Sequence, residues 1–324
     1  MPDSQMSQKT VLITGCSDGG IGAALAAEFQ LRGLRVFATA RDPAKMAGLA
    51  ALGIETLALD VASDASIEQA VAIVQEKLSN SNNNTNDNGK DKDRSNTSQG
   101  PRKRLDFLIN NAGVNHVMPF TDTKPSDLKR VFDTNVIGSL AVTQAFVPLL
   151  MHQRGGQEDG GGASPPETKR DGKGKAIVVM LGSVNEVFSP PYQVAYNASK
   201  AAVHAAARTL RVELAPLGIQ CVTLMTGSVR TKLFENAPTK VPEGSFYQPL
   251  ASRIEGREFL KNAQWVDADD FARQVADDLL KPKPKLDIWR GGLARIASWL
   301  AWLGWEGMLD SAMIKENHLY EVQI

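Results

Sequence analysis

The stretch Thr10–Gly22, TVLITGCSDGGIG, decides the fold. Its first five residues form a β-branched, apolar run of the kind found in buried strands. Glycines follow at once, and the apolar spacing of Ala23–Arg32 then predicts a helix. A glycine-rich turn between a strand and a helix lets the backbone approach a diphosphate closely, and the start of the helix offers amide donors. The stretch therefore predicts a dinucleotide-binding βα unit.

The alternation of strand and helix continues along the chain. Apolar residues at helical spacing predict a helix at Ser66–Leu78. A strand, a crossover helix and a second strand are the pattern of a parallel sheet with helices on both faces. We therefore expect an α/β fold with a doubly wound parallel sheet. The predicted strands are Thr10–Thr14, Arg35–Thr39, Glu55–Asp60, Leu105–Asn110, Ala176–Leu181 and Ile219–Leu224.

Composition excludes several classes of protein. Of the 324 residues, 43% are hydrophobic and 22% charged, as in an ordinary protein with a full core. The 36 basic and 36 acidic residues give a formal net charge of zero, which excludes a nucleic-acid binder held by bulk positive charge. Cys16 and Cys221 are too few for a disulfide framework and lack metal-ligand neighbours, so we expect no metal site. The polar Met1–Thr10 predicts no secretory signal, and we expect a cytoplasmic protein.

Two segments are too polar to belong to a packed core. They cover about residues 79–104 and 153–175 and are rich in Asn, Ser, Gly and charged residues. Such segments cannot bury enough apolar surface to offset the entropy lost on ordering, so we expect disordered loops. A regulatory docking site in the first segment is the alternative. We expect one α/β domain over residues 8–286 and a Trp-rich C-terminal segment over residues 287–324.

The end of the second predicted strand indicates which nicotinamide dinucleotide would fit. An acidic side chain there would hydrogen-bond the adenosine ribose and repel a 2′-phosphate. This chain has Thr39-Ala40-Arg41 instead, with Lys45 nearby. Because a guanidinium makes charge-assisted, forked hydrogen bonds to phosphate, Arg41 favours NADP(H) over NAD(H). An inward-turned Asp42 would weaken that preference, and a fully solvated Arg41 would remove it.

Ser183, Tyr196 and Lys200 form the candidate catalytic set. Tyr196 and Lys200 are one helical turn apart, so their side chains would lie on one face of a helix. We expect the lysine ammonium to lower the pKa of the phenol, which would exchange a proton with a carbonyl or alcohol oxygen. Ser183 follows the strand Ala176–Leu181, at the end of the sheet where ligands of this fold class bind. Its hydroxyl would hold the substrate oxygen.

With these motifs in this order, the chain resembles the short-chain dehydrogenase/reductase family up to about Thr231. The resemblance implies a Rossmann-type fold and an NADP(H)-dependent oxidoreductase acting on CH–OH and C=O groups, with a C-terminal helical extension. It rests on the glycine loop, the catalytic set and further matching motifs at Asp60-Val61, Asn110–Gly113, Asn135 and Gly227–Thr231.

The resemblance also implies roles for individual residues. Tyr196 would be the acid/base, Lys200 would bind the nicotinamide ribose and tune Tyr196, and Ser183 would polarise the carbonyl. Asn135 would anchor a water that links Lys200 to solvent. The cofactor would be contacted by Tyr196, Lys200 and residues that follow the strands, with Asp60 and Asn111 on the adenine side and Val229 and Thr231 at the nicotinamide. The other expected contacts are Gly15, Gly20, Ile21, Gly22, Thr39, Arg41 and Lys45.

Two positions depart from the family pattern. The glycine loop has one residue more than the usual spacing, which leaves open whether Gly19 or Gly20 meets the phosphate. Thr226 stands where the family commonly has proline. Neither position touches the chemistry directly, so we expect an active enzyme. The rival interpretation is a catalytically silent NADPH-binding protein that scaffolds a complex at a lipid surface.

The region after Thr231 resembles fungal NADPH-dependent 1-acyldihydroxyacetone-phosphate reductases and related ketone reductases. It implies a carbonyl reductase acting on an acyl-dihydroxyacetone phosphate or a similar lipid-like ketone. The alternative is a ketoreductase that tailors a polyketide or terpenoid intermediate of secondary metabolism. A phosphate ester would need a cationic contact. The resembling segments are Lys240–Gln248, Ile254–Phe259 and Leu286–Gly292, and the available cations are Arg230, Lys232, Arg253 and Arg257.

Four of the five tryptophans lie in the C-terminal segment, at Trp289, Trp299, Trp302 and Trp305. The longest charge-free piece, Ile296–Trp305, is too short to span a bilayer, which takes about 20 residues. Because tryptophan favours the bilayer interface, one interpretation is peripheral attachment to the endoplasmic reticulum or a lipid droplet. The other is an ordinary helix that packs over the substrate pocket or forms a dimer contact. The state of assembly, a homodimer or homotetramer among others, stays open.

Overall fold

The computed structural model describes residues 8–80, 104–151, 175–235, 237 and 239–322. The two segments predicted as disordered loops lie almost entirely outside the described residues. The docking alternative for the first of them lies outside as well.

Strands and helices alternate through the described residues as the sequence predicts. The strands found there are β1 Thr10–Thr14, β2 Arg35–Ala40, β3 Glu55–Ala58, β4 Phe107–Asn110, β5 Ala176–Ser183, β6 Ile219–Thr226, β7 Val229–Arg230, β8 Val266–Asp267 and β9 Asp287–Arg290. The helices found there are α1 Ile21–Leu31, α2 Ala47–Ala51, α3 Asp64–Asn80, α4 Pro125–Phe132, α5 Ser139–Leu150, α6 Asn185–Phe188, α7 Val194–Glu213, α8 Ala251–Glu255, α9 Ala268–Leu279, α10 Ala294–Leu303 and α11 Asp310–Glu316.

Seven of these strands form one parallel sheet in the order β3-β2-β1-β4-β5-β6-β9. The strand order reverses between β1 and β4, which makes the sheet doubly wound and opens a crevice above that point. The short strands β7 and β8 pair with each other in a separate parallel ladder. The predicted doubly wound α/β fold is therefore confirmed.

Helices cover both faces of the sheet, and the side chains of β1 show why. Val11 and Ile13 point into one apolar cluster with Phe29 of α1, while Leu12 points into the other with Phe146 of α5. All five side chains are fully buried. Because both faces are covered, a central strand needs apolar residues at every position. This requirement explains why the strands appear in the sequence as uninterrupted apolar runs.

The last strand of the sheet was not predicted. β9 pairs with β6 and brings Trp289 beside Met225. It begins at Asp287, at the start of the segment that the sequence predicts as a C-terminal extension. Trp289 therefore belongs to the sheet, and the helical extension begins with α10. A strand of only four residues inside a Trp-rich run has no periodicity that distinguishes it from its neighbours.

Candidate active site

A cleft of about 1450 Å³ lies along the carboxyl ends of the parallel strands. The loop after each strand contributes to it, including Gly15 after β1, Arg41 after β2, Asp60 after β3 and Asn111 after β4. Ordinary small-molecule sites measure about 300–1,000 Å³. The cleft therefore has room for a dinucleotide and a second molecule beside it.

The neighbouring residues Gly19 and Gly20 of the glycine loop have different backbone conformations and different positions relative to the cleft. Gly15 and Gly19 take φ values of +73° and +79°, in the left-handed region that other residues rarely adopt. Gly20 has an extended backbone, precedes the first residue of α1, and lines the cleft together with Ile21. Gly20 is thus the member of the pair that faces the cleft, whereas Gly19 forms a left-handed turn beside it.

Asn111 fixes the glycine loop from the neighbouring strand. Its Nδ2 donates hydrogen bonds to the carbonyl oxygens of Thr14 at 2.7 Å and Gly15 at 2.9 Å. A Cβ on Gly22 would lie 2.5 Å from this Nδ2 and 2.5 Å from the Gly15 oxygen. Gly22 is needed for this close approach of α1 to the loop and does not itself line the cleft. A Cβ on Gly15 would also collide, at 2.7 Å, with the backbone of Ala112.

The residues after β2 present positive charge to the cleft. Arg41 and Lys45 both line it. The carboxylate of Asp42 accepts a hydrogen bond from the Ala44 amide at 3.0 Å and caps the short turn that follows, so it is not turned inward. Thr39 is placed differently from the sequence-based expectation. It is fully buried in β2, its hydroxyl donates to the Ile13 carbonyl oxygen at 3.2 Å, and it lies beneath the cleft rather than in it.

Asn135 lies in a π-helical turn, Asp133–Gly138, between α4 and α5. Its Oδ1 accepts from the Val114 amide at 2.8 Å, and its Nδ2 donates to the Val114 carbonyl at 3.0 Å and to Ser199 Oγ at 2.9 Å. A Cβ on Gly113 would lie 3.3 Å from Asn135 Oδ1 and 3.8 Å from Lys200 Nζ, so these two side chains converge. Single π-helical turns recur at functional sites. Here the turn connects the loop after β4 with α7.

The candidate catalytic residues meet in the middle of the cleft. Ser183 ends β5, while Tyr196 and Lys200 lie one turn apart near the start of α7, and all three line the cleft. Lys200 Nζ is 5.6 Å from the centre of the Tyr196 ring and donates to the Leu181 carbonyl at 2.8 Å. Ser183 Oγ accepts from the Asn185 amide at 3.2 Å. The structure thus brings together the three residues that the sequence singled out.

Burial controls the protonation of this set. It raises the pKa of Tyr196 to about 12, although a hydrogen bond with Ser183 acts in the opposite direction. Burial also lowers the pKa of Lys200 to about 8. The expectation that Lys200 would lower the pKa of Tyr196 is therefore wrong, because the ammonium is directed at the Leu181 carbonyl and desolvation dominates. The phenol is protonated at neutral pH and can act as a proton donor.

One wall of the cleft, formed by the segments after β7, is mainly apolar and aromatic, and Lys232, Glu258, Asn262, Glu316 and Asn317 add polar groups to it. Val229 and Thr231, which the sequence assigns to the nicotinamide end, line the cleft, and residues beyond them that the sequence did not single out complete the wall. Phe234 packs edge-on against Phe259 at 6.3 Å and against Trp265 at 6.4 Å between ring centres. These aromatics come from irregular segments without periodicity, so no pattern could mark them. The remaining apolar lining of this wall includes Leu233, Leu260, Leu309, Ala312 and Met313.

The four cations available for a substrate phosphate differ in their surroundings. Arg230 pairs with Asp267 at 2.5 Å, and Arg253 lies 3.7 Å from Glu258. The guanidinium of Arg257 donates to the Phe234 carbonyl oxygen. Of the four, Lys232 is the one that lines the cleft.

Comparison with known proteins agrees with this geometry. The sequence profile of the family described as short chain dehydrogenase matches residues 9–82, 87–157 and 166–242. The chain belongs to the short-chain dehydrogenase/reductase family. It is 34% identical to a short-chain dehydrogenase/reductase of Pestalotiopsis microspora over 98% of this chain and 97% of that protein. It is 30% identical to the NADPH-dependent 1-acyldihydroxyacetone phosphate reductase of Schizosaccharomyces pombe over 98% of this chain and 94% of that protein.

A solved structure shows the same fold. The short-chain dehydrogenase of Streptomyces avermitilis superimposes with a TM-score of 0.67 at 24% identity, covering 98% of each chain. Membership of the short-chain dehydrogenase/reductase family makes the protein an oxidoreductase that acts on CH–OH or C=O groups with a nicotinamide cofactor. The cleft fits that cofactor, because Gly15, Gly20 and Ile21 line it at the start of α1, where backbone amides can meet a diphosphate, and Arg41 and Lys45 line it after β2.

Proposed function

We propose that the protein is an NADPH-dependent carbonyl reductase that works through Ser183, Tyr196, Lys200 and Asn135. The observation that carries the proposal is the position of Tyr196 in the same cleft as Ser183, Lys200 and the glycine loop, and desolvation, which raises the pKa of Tyr196 to about 12, supports it. A phenol whose pKa is about 12 keeps its proton at neutral pH, which suits donation to a carbonyl oxygen better than removal of a proton from an alcohol.

The choice of NADPH rests on charge at the end of β2. Arg41 and Lys45 line the cleft there, whereas the Asp42 carboxylate accepts a hydrogen bond from the Ala44 amide in the turn that follows. A guanidinium can bind a 2′-phosphate through charge-assisted hydrogen bonds that a ribose hydroxyl alone does not offer. The fission-yeast relative is named as an NADPH-dependent reductase, which supports the same choice of cofactor.

Each residue around the reacting carbonyl has a separate role in the proposed mechanism. Bound NADPH would supply the hydride to the substrate carbon. Ser183 holds the carbonyl oxygen, and Tyr196 donates its phenolic proton to that oxygen as negative charge develops there. Lys200 is positioned to bind the nicotinamide ribose and to stabilise the phenolate left on Tyr196. Asn135, which converges with Lys200 near Gly113, would hold the water through which that proton is replaced.

Replacing Tyr196 with Phe tests this mechanism. The variant should lose about 10²- to 10⁴-fold in kcat for any ketone that the parent reduces, the usual contribution of a general acid. NADPH binding, measured by nicotinamide fluorescence, should change little. Tyr320→Phe is the matched control, because it also removes one phenolic hydroxyl but from an exposed side chain outside the cleft lining. Parent-like turnover by Tyr196→Phe would refute the mechanism and favour a silent NADPH-binding scaffold.

For the substrate, we propose a lipid-like ketone, with an acyl-dihydroxyacetone phosphate as the first candidate. The apolar side chains of the cleft wall, among them Leu260, Leu309 and Met313, suit an acyl chain, and the fission-yeast relative is named for that activity. A polyketide or terpenoid ketone is the second candidate. It is favoured by the aromatic side chains of the wall and by the engagement of Arg230, Arg253 and Arg257 with protein groups.

Comparing kcat/KM for the two substrate classes decides between them. Purified protein and NADPH would be assayed with acyl-dihydroxyacetone phosphates of several chain lengths and with aromatic and terpenoid ketones of similar size. A higher kcat/KM for the phosphate esters, rising with chain length, supports the first candidate. Efficient turnover of ring ketones alone supports the second.

We also propose that α10 and the turn after it contact a lipid surface, at the endoplasmic reticulum or a lipid droplet. Trp299, Trp302 and Trp305 are 61%, 76% and 71% exposed, and Leu303 between them is 61% exposed. Indole rings favour the bilayer interface, where their apolar bodies are buried and their N–H groups stay hydrated. Within the described residues, no helix is long and apolar enough to cross a membrane. The contact we propose is peripheral, through side chains that precede in sequence the α11 residues lining the cleft.

Vesicle flotation tests the lipid contact. The parent should float with phosphatidylcholine vesicles, and a variant with Trp299, Trp302 and Trp305 replaced by Ser should not. Leu31→Ser is the control, because Leu31 is 80% exposed on α1. A parent that stays unbound while the triple variant changes its sedimentation from dimer or tetramer to monomer would show that this surface joins copies of the chain.

A further inference from the structure

Lys232 lies across the glycine loop. It follows Thr231 in the segment after β7, far from the loop in sequence. A Cβ placed on Gly19 would lie 3.0 Å from Lys232 Cε and 3.5 Å from its Nζ. The ammonium group thus lies at the turn whose next residue, Gly20, faces the cleft. Gly19 therefore serves two purposes, because it supplies the left-handed turn and leaves room for the lysine.

Within the part of the chain that the structure describes, the Lys232 ammonium has no acidic partner. Among the described residues, no carboxylate lies within ion-pair distance of its ammonium, whereas its neighbour Arg230 is paired with Asp267 at 2.5 Å. Asp18, the acidic residue of the glycine loop itself, accepts a hydrogen bond from the Gly48 amide at 3.3 Å. That carboxylate is directed at α2 and leaves the ammonium without a counter-charge on the loop.

We propose that Lys232 binds the diphosphate of the nicotinamide cofactor. This inference rests on the proposed function, which places a dinucleotide in the cleft with its diphosphate at the glycine loop. The loop supplies backbone amides and the start of α1, which has no side-chain cap, but no cation of its own. An ammonium that reaches over the loop would complete the recognition of an anion with two phosphates. The diphosphate is therefore held from β1 and from the segment after β7 at once.

This contact has a different selectivity from that of Arg41. The diphosphate is common to NADPH and NADH, whereas only NADPH carries the 2′-phosphate. Lys232 should therefore add affinity for both dinucleotides and leave the preference between them to Arg41 and Lys45. The two sites can be separated with fragments, since ADP carries only the diphosphate and adenosine 2′,5′-bisphosphate carries only the 2′-phosphate and one 5′-phosphate.

Equilibrium binding to Lys232→Met and Arg41→Ala tests the assignment. Fluorescence titration would give Kd for NADPH and NADH, and calorimetry would give Kd for the two fragments. Because Lys232 is exposed, we expect Lys232→Met to weaken NADPH, NADH and ADP by about three- to tenfold, with a smaller loss at high salt. Adenosine 2′,5′-bisphosphate should be weakened much less. Arg41→Ala should show the reverse pattern, with NADPH and adenosine 2′,5′-bisphosphate weakened and with NADH and ADP changed much less. Lys232→Arg should keep most of the parent's affinity. Lys240→Ala, at an exposed lysine outside the cleft lining, should match the parent.

Three results would overturn the inference. Parent-like affinity of Lys232→Met for ADP and both dinucleotides would show that the lysine does not touch the diphosphate. A loss confined to NADPH would assign it to the 2′-phosphate. A rise in KM for phosphate-bearing substrates, with dinucleotide affinity unchanged, would assign it to the substrate. Each of these leaves the proposed function standing, whereas a parent that binds neither dinucleotide overturns both.

Discussion

Gly22→Ala should destabilise the protein and loosen the dinucleotide site together. The new Cβ would lie 2.5 Å from Asn111 Nδ2 and 2.5 Å from the Gly15 carbonyl oxygen, distances that real Cβ atoms do not tolerate. Either α1 moves away from the loop, or Asn111 gives up its hydrogen bonds to Thr14 and Gly15. Both outcomes change the backbone that faces the diphosphate.

The size of the effect follows from these contacts. Overpacking of a well-packed site costs about 1–3 kcal/mol. Loss of the two Asn111 hydrogen bonds, each contributing about 0.5–1.5 kcal/mol, would cost about 1–3 kcal/mol as well. By either route we therefore expect the free energy of unfolding to fall by about 1–3 kcal/mol, which is a substantial part of the stability of a typical domain, about 5–15 kcal/mol.

Urea denaturation and NADPH fluorescence titration measure the two consequences. Gly48→Ala is the matched control, because Gly48 lies in α2, its φ is not left-handed, and a Cβ there would meet the movable carboxylate of Asp18 at 3.2 Å. We expect this control to be neutral or stabilising by up to about 1 kcal/mol. A Gly22→Ala protein that unfolds at the same urea concentration as the parent and binds NADPH equally well would refute the reasoning.

Three further predictions concern charge and protonation. Arg41→Ala should raise the KM for NADPH much more than that for NADH, because only NADPH carries the 2′-phosphate, and equal losses in steady-state assays would contradict the assignment. The rate of ketone reduction should fall as pH rises through about 8, where Lys200 loses its proton, and a pH–rate profile that stays flat from pH 7 to 10 would count against a charged Lys200. The Asp287 carboxylate, 3.8 Å from His204 Nε2, and a hydrogen bond with Glu186 raise the pKa of His204 from 6.5 to about 9, so its contribution to stability is fully present below pH 6.5 and disappears as pH rises through 9. Urea unfolding between pH 6 and 10 should show this decline in the parent and not in His204→Gln.

Much of the site could be predicted because its signals are local. The glycine loop, the one-turn spacing of Tyr196 and Lys200, and the position of Ser183 after a strand each depend on a few consecutive residues. The fold class could be predicted from the apolar runs, because a strand whose two faces are both covered by helices needs apolar residues at every position. Ser183, Tyr196 and Lys200 accordingly lie in one cleft, as expected.

The features that could not be predicted depend on contacts between distant parts of the chain. Thr39 could not be assigned to the core rather than the cleft, because its burial depends on the elements packed around β2 and its hydroxyl donates to the Ile13 carbonyl oxygen of the neighbouring strand. The pKa of Tyr196 rises instead of falling because the surrounding protein excludes water, and no spacing of residues reports desolvation. The ammonium of Lys232 lies near Gly19 because the chain comes back to the glycine loop after β7, and the sequence does not reveal this contact.

The pairing of β9 with β6 has a practical consequence for shortened forms of the protein. Residues Thr223–Thr226 of β6 are covered along one side by β9. Ending the chain at residue 286 would look harmless in the sequence, yet it would leave that side of β6 as a bare edge of unpaired amides and carbonyls. Such an edge is a template for pairing with other chains, so the truncated protein should self-associate and precipitate even though its whole catalytic set is retained.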